Sequence, residues 1–554
     1  MMRYAAIGTA VLLGACGGAN YSSESPGGYN SSADAGAYQR QCYGANDCYP
    51  GQYCNSFGAC VNVDPGGGGV TGADMGTLPP EVQNKVEPPA SGKRFVYVTV
   101  PAESTVVKID SQSLQVRTVS VGKNPGPLRT VPNQDVAVVL SRGSDSLTLM
   151  RSKNDGSDTV TSYATAPGEN SLAMSPDGRY ALAWFDLSAS GGVLSPKQTF
   201  QEVTLLHLEA GLEAAINLSV GFRPSDVQFA PDGSACWVVT DQGVSAIPLQ
   251  VQPKPSIVPT VPLVRDPLVD AIPDNVRFTR DGKLAVAHVP ALRGFRVVDL
   301  GSGAITDVPL DGEPSDVEVT PDGSLAVAVL RDQNEVAFVR LPADVVDPSG
   351  IIKVTTQGYV AGQAVITHDS QHALLFTNAS NQKVILVADL AQRTIKVLPL
   401  KKAIRSVELA PDGKAALVIH NKVPGTPGPN DTLEQYLDKL QAYSILDVQG
   451  GYAKLQPTDA MPGPVAFAPD SQSAYLLLSD VSAGVRSVEA LDLVSFLVTR
   501  VDLGSPPVAV GVVPSTSQIY VAQTHPLGRM TFVDTSTFRT RTLTGFALNG
   551  GIIE

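Results

Sequence analysis

A chain of 554 residues with 43% hydrophobic and only 17% charged residues, including 51 Gly and 42 Pro, suits many short strands joined by tight turns better than long helices. Its formal net charge of −13 is scattered without a long acidic block, and no basic stripe is present, which argues against nucleic-acid binding. Such a surface implies solubility and a weak bias toward cationic partners.

At the N-terminus Arg3 precedes an apolar stretch, Tyr4 to Leu13, that is too short to span a bilayer. The stretch ends in Leu13-Gly14-Ala15-Cys16, which resembles a bacterial lipobox. The resemblance implies that residues 1–15 are a signal peptide and that acylated Cys16 anchors the mature chain to a membrane. Gly17, in place of Asp, is similar to the Gram-negative lipoproteins of the outer membrane. An ordinary signal peptide with a chance cysteine is the competing reading. Residues 16–41, rich in Gly, Ser, Asn and Tyr, read as a flexible tether.

Cys42, Cys48, Cys54 and Cys60 follow at six-residue intervals, and residues 42–60 are expected to form a disulfide-rich mini-module. Three connectivities are open. A zinc site is the alternative, although metal-binding pairs usually stand closer together. The stretch from Asp47 to Cys54 resembles small cysteine-rich modules of secreted proteins. Residues 61–93, with Pro65-Gly66-Gly67-Gly68-Gly69 and Pro79-Pro80, read as a second linker. Cys236 stands in an apolar run and is expected to be a buried free thiol.

From residue 94 to residue 554 one phrase recurs: an Asp-Gly turn, a buried strand, a loop, a third strand closing on Asp, and a more polar fourth strand. Pro176-Asp177-Gly178, Pro231-Asp232-Gly233 and Pro321-Asp322-Gly323 are the best copies, while Asp369-Ser370 and Asp470-Ser471 look degraded. Asp-Gly between apolar runs is a hairpin signal, because Gly accepts a positive φ and Asp tolerates it. Turn spacings of 41 residues (Arg280 to Pro321) to 58 (Pro411 to Pro469) match one four-stranded blade each. The fold class is therefore all-β, a β-propeller of four-stranded antiparallel blades. Nine complete units are visible, and Phe95–Val100 begins a tenth with no evident innermost strand. Residues 550–554 are a candidate for that strand, and one ring or two both fit. The Asp residues closing third strands (Asp110, Asp299, Asp389, Asp447, Asp492 and Asp534) read as turn formers.

Phe95-Val96-Tyr97-Val98-Thr99, the Pro-Asp-Gly turns, Val106 to Asp110 and Gly122 to Pro125 together resemble the bacterial YVTN-type, lactonase-like β-propeller repeat. That family includes surface proteins, binding scaffolds and some enzymes, so the resemblance implies the fold and leaves function open.

Loops that follow second strands, and loops that enter first strands, open on one face at the mouth of the channel. The former carry Asp186, Asp241, His288, Arg331, Asn378, His420, Asp480 and His525, and the latter Asp226, Asp316 and Arg405. These residues form the candidate binding rim. His288, His420 and His525 occupy equivalent positions and, with Asp226 or Asp316, are a candidate set for a divalent metal; simple tolerance of polar residues at strand ends is the alternative. No other cofactor and no catalytic residue is expected. Asp431 to Glu434 reads as a capping box that opens a short helix through Leu440, inside an insertion. The expectation is a lipid-anchored propeller of the cell envelope that binds or scaffolds another envelope protein, a glycan or a surface. A metal-assisted, lactonase-like hydrolase is the alternative.

Overall fold

In a computed structural model the described residues are 52–54, 60–62, 89–153, 155–191, 194, 197–251 and 256–546. The signal peptide, Cys16, the tether, Cys42, Cys48 and residues 550–554 lie outside them. Within the unit Leu12–Pro79, strands Gln52–Cys54 and Cys60–Asn62 pair antiparallel, with Cys54 opposite Cys60 in the register. The larger unit holds ten four-stranded antiparallel sheets among its described residues, each a meander in sequence order. Blade 1 comprises Ala90–Ser91, Phe95–Val100, Thr105–Asp110 and Val116–Ser120. Blades 2 to 10 span 125–164, 171–219, 226–261, 275–309, 316–355, 363–399, 404–458, 462–502 and 507–544.

The second and third strands are central in each sheet, so their side chains are covered on both faces. Val136–Ser141 and Leu325–Leu330 are buried at every position. Such continuous apolar runs between turn residues are the mark of a fully covered strand. Fourth strands are outer edges and are the more exposed, as in Val116–Ser120 and Ile305–Pro309. Each blade shares an apolar cluster with the next. Phe295 and Val297 of blade 5 pack on Val317, Ala326 and Ala328 of blade 6, and Trp237 of blade 4 stacks on Phe278 of blade 5. The last cluster joins Tyr520, Met530 and Phe532 of blade 10 to Val96, Val107 and Ile109 of blade 1, which makes the ten blades a single ring.

Closure differs from the sequence expectation. The innermost strand of blade 1 is Ala90–Ser91, paired with Tyr97 and Val96 across a turn in which Gly92 N–H donates to Phe95 O (2.8 Å). It is only two residues long and follows Pro89, which has no N–H to donate to a ladder. The sequence does not advertise it because it carries neither an apolar run nor an Asp-Gly turn. Blade 10 is held to blade 1 by bonds between finished sheets. Ser91 Oγ donates to Val512 O (2.8 Å), Tyr520 Oη donates to Pro89 O, and Arg541 donates to Gln112 O (2.7 Å) and Ser111 O (2.8 Å).

The repeated turn also has a second task. Asp177 and Asp322 accept the backbone N–H two residues on (both 3.0 Å) and the hydroxyls of Ser175 and Thr320 (both 2.6 Å). Gly282 has φ +68°, and a Cβ there would stand 2.3 Å from the Trp237 ring of the preceding blade. The glycine thus provides both a left-handed backbone and a close approach between blades. Ser370 and Ser471 adopt the same backbone region, with φ of 60° and 59°. Their hydroxyls accept from Asp322 N (3.1 Å) and Asp412 N (2.9 Å) of the blades before them. What looks degraded in sequence is a clasp. The third-strand Asp residues are turn formers, as expected: Asp299 accepts from Gly301 and Ser302, Asp492 from Val494 and Ser495, and Asp534 from Ser536 and Thr537.

Gly282→Ala places a non-glycine residue in the left-handed region against an aromatic ring, and should lose roughly 2–4 kcal/mol in chemical denaturation. Ser370→Gly removes one hydrogen bond without strain and should lose about 1 kcal/mol. Equal losses in the two variants would contradict the distinction between close approach and clasp.

Candidate functional site

The mouth of the channel is built from the innermost strands. Five of them carry a polar residue two positions before the turn, namely Gln228, Arg277, Glu318, Glu408 and Arg129. The first three stitch neighbouring blades together. Gln228 Nε2 donates to Val276 O (2.9 Å), and Arg277 donates through Nε and Nη2 to both oxygens of Glu318 (2.9 and 2.6 Å). Asp316 Oδ2 accepts from Ala364 N (2.8 Å), carrying the stitch to blade 7. Burial works against the charge on Arg277, yet the Glu318 carboxylate outweighs it and holds the guanidinium pKa above its ordinary value. Asp316, buried beside Glu318, is pushed up. Glu408 is raised by burial to about 7.

The candidate rim residues are distributed around this face, and the structure commits most of them to local bonds. Asp186 accepts from Ser188 N (2.8 Å), and Asp480 from Ser482 Oγ (2.6 Å) and Ala483 N (3.0 Å). Asp241 pairs with Arg223 (3.0 Å). Arg331 lies 3.8 Å from Asp332. Asp226 and Asp316 share the phrase Pro-Ser-Asp but differ in fate. Asp226 is exposed and accepts from Val227 N (2.9 Å) and Gln228 (2.7 Å), whereas Asp316 is buried.

The three histidines stand on blades 5, 8 and 10, each with its own neighbours. His288 Nδ1 pairs with Asp274, and His525 Nδ1 accepts from Leu527 N (3.1 Å). His420 is buried, with Nδ1 bonded to Ala403 O (3.2 Å) and Nε2 to Ser444 Oγ (2.7 Å). Burial lowers its pKa to about 4. Among the described residues no group of three His, Cys, Asp or Glu side chains could hold a metal ion. Cys236 is fully buried as a free thiol.

Blade 8 carries the most developed feature of the face, the insertion between Ala415–His420 and Gln441–Asp447. Its helix is Leu433–Asp438, capped by Thr432 rather than Asp431. Thr432 Oγ1 accepts Gln435 N–H (3.2 Å) while Gln435 Oε1 accepts Thr432 N–H (3.0 Å). Asp431 instead pairs with Lys439 (2.7 Å) and accepts from Gly428 N (2.8 Å). Lys402, fully buried, donates to Leu437 O (2.5 Å) and Asp438 O (2.9 Å), the carbonyls at the helix end. Lys383 pairs with Glu434 (2.7 Å) and Asp438 (2.8 Å). The clamp leaves Leu433 75% and Tyr436 44% exposed.

Fold and rim together define a ten-bladed β-propeller with a polar channel mouth and a clamped insertion beside it. In structure the chain is similar to hydrazine synthase of Kuenenia stuttgartiensis, at 17% identity over 58% of this chain and 95% of that one (TM-score 0.31). It is also similar to the dihydro-heme d1 dehydrogenase NirN in complex with DHE, at 18% identity over 70% and 78% (TM-score 0.38). A third likeness is to the Cps50 (Swd1) β-propeller domain of Myceliophteria thermophila, at 12% identity over 55% and 95% (TM-score 0.32). No family model matches the sequence, and no curated protein matches it.

The Glu408 carboxyl, raised from 4.5 to about 7, contributes stability that is complete below pH 4.5 and lost as pH rises through 7. Glu408→Gln should therefore unfold at nearly the wild-type temperature at pH 5 and at a higher one at pH 8. An unchanged difference between the two pH values would refute the assignment. His420 has the opposite sign: its contribution is present above pH 6.5 and lost as pH falls through 4.

Proposed function

We propose that this protein is a lipid-anchored propeller of the cell envelope that binds or scaffolds another envelope protein, a glycan or a surface through the channel-mouth face. The observation that carries the reading is the blade 8 insertion. Its helix is too short to persist alone, yet a capping box and two lysines fix it, with Leu433 and Tyr436 facing solvent. Apolar surface held rigid in water forgoes the gain of burial, a cost that covering by a partner recovers. The Leu13-Gly14-Ala15-Cys16 resemblance supplies the anchor, and the Gly/Pro-rich stretches supply reach from the outer membrane.

Crosslinking in intact cells should recover a specific envelope partner, and Leu433→Asp with Tyr436→Ala should reduce that recovery at least tenfold while leaving the fold intact. Recovery unaffected by the double substitution would remove the insertion from the binding face. Cys16→Ser should release the protein from the membrane fraction, and unchanged attachment in fractionation would refute lipidation.

A further inference from the structure

Four innermost strands (blades 2, 8, 9 and 10) carry a β-bulge at the end nearest the channel mouth. The register runs from Ile404↔His420 directly to Ser406↔Ile419 in blade 8, so Arg405 is the extra, unpaired residue. In blades 2 and 9 the bulge falls within Gly126-Pro127 and Gly463-Pro464, and in blade 10 it is Val508. Only the blade 8 bulge therefore places a charged side chain at the mouth. A bulge commonly re-aims a side chain beside a functional site.

The bulge is fixed by residues that the sequence suggested as binders. Ala403 O takes His420 Nδ1 (3.2 Å) and Asn421 N (2.9 Å), Ile404 O takes Asn421 Nδ2 (3.0 Å), and Arg405 O takes Asn378 Nδ2 (3.4 Å). His420 and Asn378 are thus positioning residues for Arg405.

The guanidinium itself is poorly matched. It is half-buried, reaches the connection between blades 8 and 9, and Nη1 lies against Met461 Sδ, a weak acceptor. Among the described residues it has no ion pair. Arg277 and Arg296, by contrast, meet carboxylates: Arg277 with Glu318, and Arg296 with Asp307 and Asp270. Burial without a counter-charge holds the Arg405 pKa below the usual arginine value. Leaving a half-buried guanidinium without an anion is a cost to the fold, and one that a bound anion relieves.

We propose that Arg405 is the anion-recognition residue of the channel mouth, receiving a carboxylate of a protein partner beside Met461. This rests on the binding role proposed above and names the chemistry of its ligand. A carboxylate fits better than a phosphate, because a single guanidinium matches the single charge and planar fork of a carboxylate. Met461, exposed as a residue beside the guanidinium, suits the apolar remainder of a peptide.

Thermal unfolding of the full chain tests this at constant ionic strength with millimolar hexaglutamate, an uncharged hexaglutamine control, oligogalacturonate, and inorganic phosphate. Hexaglutamate should raise the wild-type Tm by about 2 °C or more, and Arg405→Met should abolish the shift. Without ligand, Arg405→Met should unfold at or above the wild-type temperature, and Arg405→Lys should keep part of the shift. A fall of several degrees in unliganded Arg405→Met would make Arg405 structural and overturn the proposal. So would equal shifts in both proteins, or shifts with galacturonate or phosphate alone. In those cases, crosslinking that still depends on Leu433 and Tyr436 would leave the binding role standing.

Discussion

Everything in this ring depends on how closely one blade can approach the next. The apolar clusters lie between sheets, so no blade has a core of its own and each is stable only through two neighbours. The turn between the first and second strands sets the distance. Where it carries glycine, the backbone of one blade rests against its predecessor with no room for a Cβ, as Gly282 rests on Trp237. Where it carries serine, a hydroxyl replaces the contact with a hydrogen bond to the preceding turn. Both solutions hold the same spacing and preserve the repeat.

The repeat was legible because its signals are local. Asp-Gly turns, continuous apolar runs and third-strand aspartates each report on the few residues around them, and four strands per unit followed from counting. The short strand Ala90–Ser91 was hidden, since two small residues after a proline have no periodicity to read. The serine clasps were hidden for another reason: their partners lie 48 and 59 residues away, on another blade.

The site was legible in outline only. Loop order can be read because meander topology fixes which turns share an end of a blade. It does not say which side chains are already engaged. His420 reads in sequence as a rim residue and candidate metal ligand, but it is buried with its ring nitrogens bonded to Ala403 O and Ser444 Oγ. The polar stitch through Gln228, Arg277 and Glu318 has a sequence signal, a polar residue at one fixed position of the innermost strands. The bulge at Arg405 had none, because one extra residue in a strand changes register without changing composition.

The closure between blades 10 and 1 has a mechanical consequence. Every other pair of neighbouring blades is also joined by the polypeptide, so separating them must stretch covalent backbone. Blades 10 and 1 meet through side-chain packing, Ser91, Tyr520 and Arg541, and no continuous chain crosses that seam among the described residues. The chain enters the ring at this same point, through Pro89 and the two-residue strand beside it. A tensile load applied from the N-terminal side therefore bears first on the one junction without a backbone link, and peels a strand held by few hydrogen bonds. Under force the propeller should open like a clasp ring at blade 1, while its other nine interfaces are still loaded in series behind it.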